Sequence, residues 1–119
     1  MHILLTNDDG IFAPGLAALY KRLTTLGKVT VVAPADVQSG AGHSISLRDL
    51  TCQLLDIVGK FSGYSVDGSP ADCVKVAVNK LVPEDEPIDL LVSGMNHGAN
   101  VGINVFYSGT VAGAIEGAF

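Results

Sequence analysis

The chain has 119 residues, and its 7 Lys and Arg against 12 Asp and Glu give a formal net charge of −5 at pH 7. Hydrophobic residues make up 48% and charged residues 16%, which is typical of a globular chain and excludes an intrinsically disordered one. The length predicts one domain, residues 1–119, and the few scattered basic residues argue against duplex nucleic acid as a partner.

The beginning of the chain has the pattern of a strand, a helix and a second strand. An apolar run at residues 3–5 ends at the turn-forming sequence of residues 6–10, which predicts a buried strand followed by a loop. Residues 29–33 predict a second buried strand, and such strand–helix–strand units build parallel sheets. One face of the intervening helix, predicted over residues 14–26, carries Leu16, Leu19, Leu23 and Leu26.

The middle of the chain predicts a loop and two short strands. Residues 34–48 are mostly small or polar, so we expect a loop there. Residues 51–58 and 64–66 have a weak alternating pattern that predicts a pair of short strands.

The last part of the chain predicts two helices separated by a strand. Ser69 is a candidate N-cap with Pro70 at the first helical position and Asp72 at the third, so a second helix is expected to begin there. Residues 88–92 predict a third buried strand. The small residues from 108 onward predict a closely packed final helix. The elements together predict the α/β class with a mainly parallel sheet.

The cysteines and the hydropathy pattern bear on the cellular compartment. Cys52 and Cys73 lie in mostly apolar stretches, where buried free thiols are usual, so we expect no disulfide. The sequence has neither an apolar run of membrane-spanning length nor a charged leader, so we expect no membrane partner and a cytoplasmic location.

Three predicted loops supply oxygen ligands to one edge of the sheet. The carboxyl ends of parallel strands meet there, and ligands bind at that edge. The loops contain the carboxylates of Asp8 and Asp9, the hydroxyl of Ser39 and the amide of Asn96, a set suited to Mg²⁺ or Mn²⁺. The alternative is a plain turn with Asx side chains bonded to nearby amides, but adjacent carboxylates repel each other unless a cation neutralises them.

Two further features are suited to binding phosphate or transferring a proton. The predicted helix beginning at Ser108 has N-terminal amides that favour an anion, although Ser108 could equally be a simple N-cap. His43 and His97 lie in candidate loops, and His43 is the better candidate for proton transfer; a hydrogen-bonding role is the alternative. The glycine patterns of dinucleotide-binding and P-loop proteins are absent from the sequence.

The order of these motifs resembles the SurE family. The resemblance implies a Rossmann-like three-layer fold and a metal-dependent phosphatase that hydrolyses nucleoside 5′- and 3′-monophosphates. It covers nearly the whole chain and is carried by Asn-Asp-Asp-Gly at 7–10, Gly-His-Ser-Ile at 42–45, Gly-Ser-Pro-Ala-Asp at 68–72, Ser-Gly-Met-Asn at 93–96 and Tyr-Ser-Gly-Thr-Val at 107–111.

The resemblance also implies roles for individual residues, with a divalent metal as cofactor and a nucleoside monophosphate as substrate. Its metal ligands fall on Asp8, Asp9, Ser39 and Asn96; its phosphate contacts fall on Ser108, Gly109 and Thr110; and its catalytic candidates are Asp8, Asp9 and His43.

Some features depart from the family pattern and keep alternatives open. Many relatives carry an acid and an arginine where this chain has Ala35 and Gln38. The resemblance implies relatives that are dimers or tetramers and continue beyond Phe119, so the chain resembles a truncated member. A weakly active metal- and phosphate-binding remnant is one alternative. Another is a receiver-like signalling domain, but Asp67 is a poor phosphate acceptor and no lysine follows Lys80.

Overall fold

The computed structural model describes residues 1–36 and 50–95. Within these ranges no helix is long and apolar enough to cross a membrane. A π-helical turn, Ala77–Leu81, continues the second helix. The elements in chain order are β1 (His2–Thr6), α1 (Pro14–Leu23), β2 (Lys28–Pro34), β3 (Cys52–Ile57), β4 (Phe61–Val66), α2 (Pro70–Val76) and β5 (Leu90–Ser93).

The strands form a sheet in the order β3-β4-β2-β1-β5. β1 is parallel to β2 and to β5, with Ile3 paired to Val29 on one side and to Leu90 on the other. β2 is parallel to β4, and β3 runs antiparallel to β4 as one arm of a hairpin. The prediction of a mainly parallel sheet is therefore confirmed.

The two helices cover opposite faces of this sheet. Ile3 and Leu5 of β1 pack with Leu16 of α1, whereas Leu4 packs with Val74 of α2. Parallel strands between two helical layers are buried on both faces, which explains the unbroken apolar run at the start of the chain. Burial of each of these side chains contributes about 1.5–3 kcal/mol. The result is the three-layer α/β arrangement.

The first helix is shorter than predicted. α1 ends at Leu23 rather than Leu26, and Leu26 is 60% exposed. The hydroxyls of Thr24 and Thr25 donate to backbone carbonyls one turn earlier, at 2.8 and 2.7 Å. Such local side-chain bonds compete with the helical ladder, so the apolar spacing extends further than the helix.

The fourth strand is longer than predicted. β4 begins at Phe61 rather than at residue 64. The backbone N–H of Lys60 donates to the carbonyl of Ile57 at 2.9 Å and closes a tight turn, in which Gly59 has a φ of +74°. The glycine permits the short turn, with β3 ending at Ile57 before it and β4 beginning at Phe61 after it.

The fifth strand begins later than predicted, at Leu90 rather than residue 88. His2, which is 7% exposed, holds the preceding segment in place. Its Nδ1 lies 2.9 Å from the carbonyl oxygen of Glu86, and its backbone N–H donates to Oδ2 of Asp89 at 2.8 Å. The side chain of Asp89 thus accepts the hydrogen bond of the His2 N–H, immediately before the pairing of β1 with β5 begins at Ile3 and Leu90.

Both cysteines are free thiols, but only one is buried. Cys73 lies in the core beneath α2, as expected. The expectation of a buried thiol is wrong for Cys52, because β3 is an edge strand and Cys52 lies on its exposed side together with Leu54.

Candidate functional site

The candidate site lies where the order of strands across the sheet reverses. β2 follows β1 through α1 on one side of β1, whereas β5 is reached through α2 and pairs with the other side. In open α/β sheets, ligands bind in the crevice beyond the carboxyl ends of the strands at such a switch point. Here the last paired residues are Thr6 and Ser93, so the crevice begins directly after them.

Asn7 holds the loop that follows β1. Its Nδ2 donates to the carbonyl of Gly10 at 2.9 Å, and its Oδ1 accepts from the N–H of Gly10 at 3.2 Å. Gly10 has a φ of +103°, a conformation that suits glycine. Asn7 therefore makes the Asx contacts expected if the whole segment were a plain turn. The Asn-x-x-Gly spacing is the sequence signal for this role of Asn7.

Backbone contacts tie this loop to the ends of the neighbouring strands. The N–H of Ile11 donates to the carbonyl of Pro34 at 2.8 Å, and the N–H of Gly94 donates to the carbonyl of Thr6 at 2.9 Å. A Cβ added to Gly15 would lie 3.1 Å from the carbonyl oxygen of Met95. The residue that precedes Asn96 therefore lies against the first turn of α1.

Asp8 is a buried carboxylate with an unsatisfied oxygen. The residue is 2% exposed, and its Oδ1 has no hydrogen-bond partner in the described part of the chain. Leaving a buried acceptor unpaired costs about 1–3 kcal/mol, and more when it is charged. Asp9, the next residue, is half-buried. A divalent cation would satisfy the Asp8 oxygen, and an oxygen donor set fits Mg²⁺ or Mn²⁺.

Of the four predicted metal ligands, Asp8 and Asp9 lie within the described residues. Within residues 1–36 and 50–95 there is no cluster of three or more His, Cys, Asp and Glu side chains that could hold a metal. A complete site would therefore need ligands of another type or from another segment. β2 ends shortly before Ser39, and β5 ends shortly before Asn96. The predicted site residues outside the described ranges are Ser39, His43, Asn96, Ser108, Gly109 and Thr110.

A second buried carboxylate at this edge has a structural role. Asp72, 1% exposed, accepts a hydrogen bond from the N–H of Ser69 at 2.8 Å. The N–H of Asp72 donates to Oγ of Ser69 at 3.2 Å, which completes a capping box at the start of α2. The predicted start of this helix is confirmed, and the carboxylate of Asp72 stabilises it as part of the capping box.

Comparison with known proteins identifies the family. The family profile described as "Survival protein SurE" matches residues 3–119. This chain belongs to the SurE family. The structure is similar to the crystal structure of the SurE protein from Aquifex aeolicus, with a TM-score of 0.82 and 44% identity, covering 98% of this chain and 46% of that one. The expected Rossmann-like fold is thereby confirmed, and the receiver-like alternative is set aside.

The curated SurE relatives are longer than this chain. It is 60% identical to a protein of Rhodopirellula baltica named 5′-nucleotidase SurE, over 100% of this chain and 47% of that protein. It is 53% identical to the protein of the same name from Syntrophus aciditrophicus, over 99% of this chain and 44% of that protein. The chain thus spans about half the length of the curated relatives it matches.

Proposed function

We propose that this SurE chain carries the metal-binding and phosphate-binding loops of a phosphatase that hydrolyses nucleoside monophosphates. The observation that carries the proposal is the buried Oδ1 of Asp8 at the switch point of the sheet, which has no hydrogen-bond partner among residues 1–36 and 50–95. The relatives named 5′-nucleotidase support the choice of substrate. Activity on 3′-monophosphates and assembly into homo-oligomers are extensions that rest on the family resemblance, and the cytoplasmic location is an expectation from the hydropathy pattern of the sequence.

The proposed site divides metal binding among three loops. Asp8 and Asp9 supply the charge, and Ser39 and Asn96 supply neutral oxygens. A divalent cation held there would polarise the phosphate and make the attacking water more acidic. The carboxylate of Asp8 or Asp9 is then the candidate to accept the proton of that water.

Two more segments complete the proposed chemistry. The backbone amides of residues 108–110 would donate to the phosphate oxygens on which negative charge develops. His43 would transfer a proton, and we expect His43→Ala to lower turnover with little change in metal affinity. An unaltered pH–rate profile in this variant would contradict proton transfer by His43 and favour the hydrogen-bonding role.

Calorimetric titration with Mn²⁺ tests the carboxylates. We expect Asp8→Asn and Asp9→Asn each to lose Mn²⁺ binding and Mn²⁺-dependent release of phosphate from AMP, because each loses a full negative charge that a hard cation needs. Asp56→Asn is the matched control, since Asp56 is exposed on the edge strand β3. Unchanged Mn²⁺ affinity in both site variants would contradict the proposal. Binding without hydrolysis in the wild type would favour the remnant alternative.

The division between metal and phosphate ligands has its own test. We expect Thr110→Ala to weaken binding of inorganic phosphate more than binding of Mn²⁺, because a hydroxyl at a helix start can bond phosphate but is not a proposed metal ligand. An equal loss of both affinities would contradict this division of roles.

A further inference from the structure

An exposed aromatic ring lies in the same loop as Asp8. Phe12 is 66% exposed. The other Phe and Tyr residues in the described ranges are buried or half-buried: Tyr20, Phe61 and Tyr64. Burying an aromatic ring is strongly favourable, so a ring left in water beside a candidate site calls for an explanation.

The backbone beneath this ring is held on both sides. The N–H of Ala13 donates to the carbonyl of Gly10 at 3.1 Å, which closes a turn with Ile11 and Phe12 as its central residues. Ile11 is 1% exposed, and its N–H donates to the carbonyl of Pro34 at 2.8 Å. Ile11 thus anchors the turn in the core, and Phe12 projects from it. A ring on a fixed turn loses little conformational freedom when a ligand binds.

A second exposed apolar side chain lies at the same end of α1. Met95 is 49% exposed, and its backbone contacts the position of Gly15 in the first turn of that helix. The buried carboxylate of Asp8, the ring of Phe12 and the thioether of Met95 thus belong to the loops at one end of the sheet. These loops therefore combine a negative charge with exposed apolar surface.

We infer that Phe12 is the stacking platform for the base of the nucleotide, with the exposed side chain of Met95 at the same end of α1. The inference rests on the proposed function and extends it from phosphate to base. A nucleoside monophosphate has a dianionic end that suits the cation site, and across one ribose a flat ring that suits an aromatic face. Stacking on an aromatic side chain tolerates any base, because every base has a π-face.

The size of the expected effect follows from stacking energies. Base–aromatic stacking of about 1–3 kcal/mol corresponds to about 5- to 150-fold in affinity. The ring should therefore set a ratio of affinities between two ligands that share a phosphate and a ribose and differ only in the base.

Calorimetry with two matched ligands tests the inference. The ligands are the methylene phosphonate analogues of AMP and of ribose 5-phosphate, in which a CH₂ group replaces the ester oxygen and prevents hydrolysis. With Mn²⁺ present, the wild type should bind the AMP analogue at least about 5-fold more tightly. In Phe12→Ala the ratio should fall to about one through weaker binding of the AMP analogue alone, and Phe12→Tyr should retain it. Val58→Ala, at an exposed apolar residue on the β3–β4 turn, is the control.

The outcomes separate the platform from the phosphate site. A Phe12→Ala variant that keeps the wild-type ratio overturns the inference, as does a wild type that binds both ligands equally. Either result leaves the proposed function standing. A wild type that binds neither ligand overturns the proposed function and this inference with it. If Phe12→Ala weakens the binding of both ligands equally, Phe12 has a structural role in the turn, and this result also overturns the inference.

Discussion

Asn7 and Asp8 are adjacent buried polar residues with different surroundings. Asn7 makes two hydrogen bonds to Gly10, whereas Oδ1 of Asp8 has no partner among the residues that the structure describes. In EDTA we expect Asp8→Asn to raise the free energy of unfolding, because a charge next to Asp9 is removed from a buried site. Asn7→Ala should lower it by about 1–3 kcal/mol through the lost hydrogen bonds. Thermal melting checks both, and a less stable Asp8→Asn would contradict the argument.

The two thiols differ in their expected reactivity. Burial raises the pKa of Cys73 far above its ordinary value, although the hydroxyl of Thr6 beside it acts in the opposite direction. Partial desolvation also raises the pKa of Cys52, but the residue is exposed and a reagent can reach its thiol. Because the thiolate is the reactive form, Ellman's reagent at pH 8 should label one thiol in the native chain and both in urea. Cys52→Ser should abolish the native labelling, and rapid labelling of that variant would contradict the prediction.

The start of α2 depends on a close approach between a glycine and the capping box. A Cβ added to Gly68 would lie 2.6 Å from Oδ2 of Asp72, the oxygen that accepts from the N–H of Ser69. We expect Gly68→Ala to displace that carboxylate and cost about 1–3 kcal/mol, and Ser69→Ala to cost about 1 kcal/mol. Urea denaturation measures both against Ser62→Ala, an exposed serine on β4. A neutral Gly68→Ala would contradict the packing argument.

Local signals explain which elements could be predicted. The start of α2 is encoded in consecutive residues, Ser69 and Pro70, and it is confirmed. The predicted end of α1 at Leu26 is wrong because the Gly27 that follows it has another role: a Cβ there would lie 2.2 Å from the carbonyl oxygen of Met1. Gly27 is therefore needed for the approach of β2 to β1, a contact between distant segments that periodicity cannot reveal.

The same distinction applies to the site. Two adjacent carboxylates after a buried strand can be recognised from residue type, so the sequence predicts Asp8 and Asp9 as candidate metal ligands. Within the described ranges, the lack of a donor to Oδ1 of Asp8 and the exposure of Phe12 both depend on where other segments lie in three dimensions. Neither could be read from spacing alone.

At the scale of the molecule, the two edges of the described sheet differ. β3 forms one edge and is antiparallel, with Asp56 among its exposed residues. β5 forms the other edge: within residues 1–36 and 50–95 it pairs with β1 alone, and Leu90 on it is 40% exposed. An apolar strand with unpaired backbone groups is a template for pairing with another chain, and parallel strands are normally buried.

We therefore expect these 119 residues, expressed alone, to self-associate through the β5 edge. A charge on an edge strand opposes such pairing, so Leu90→Lys should shift the chain toward monomer. Leu26→Lys is the matched control, because Leu26 is 60% exposed and lies after the end of α1, away from this edge. Size-exclusion chromatography with light scattering gives the masses. A monomeric wild type would contradict the prediction, and equal shifts in the two variants would show that added charge, rather than the edge, controls association.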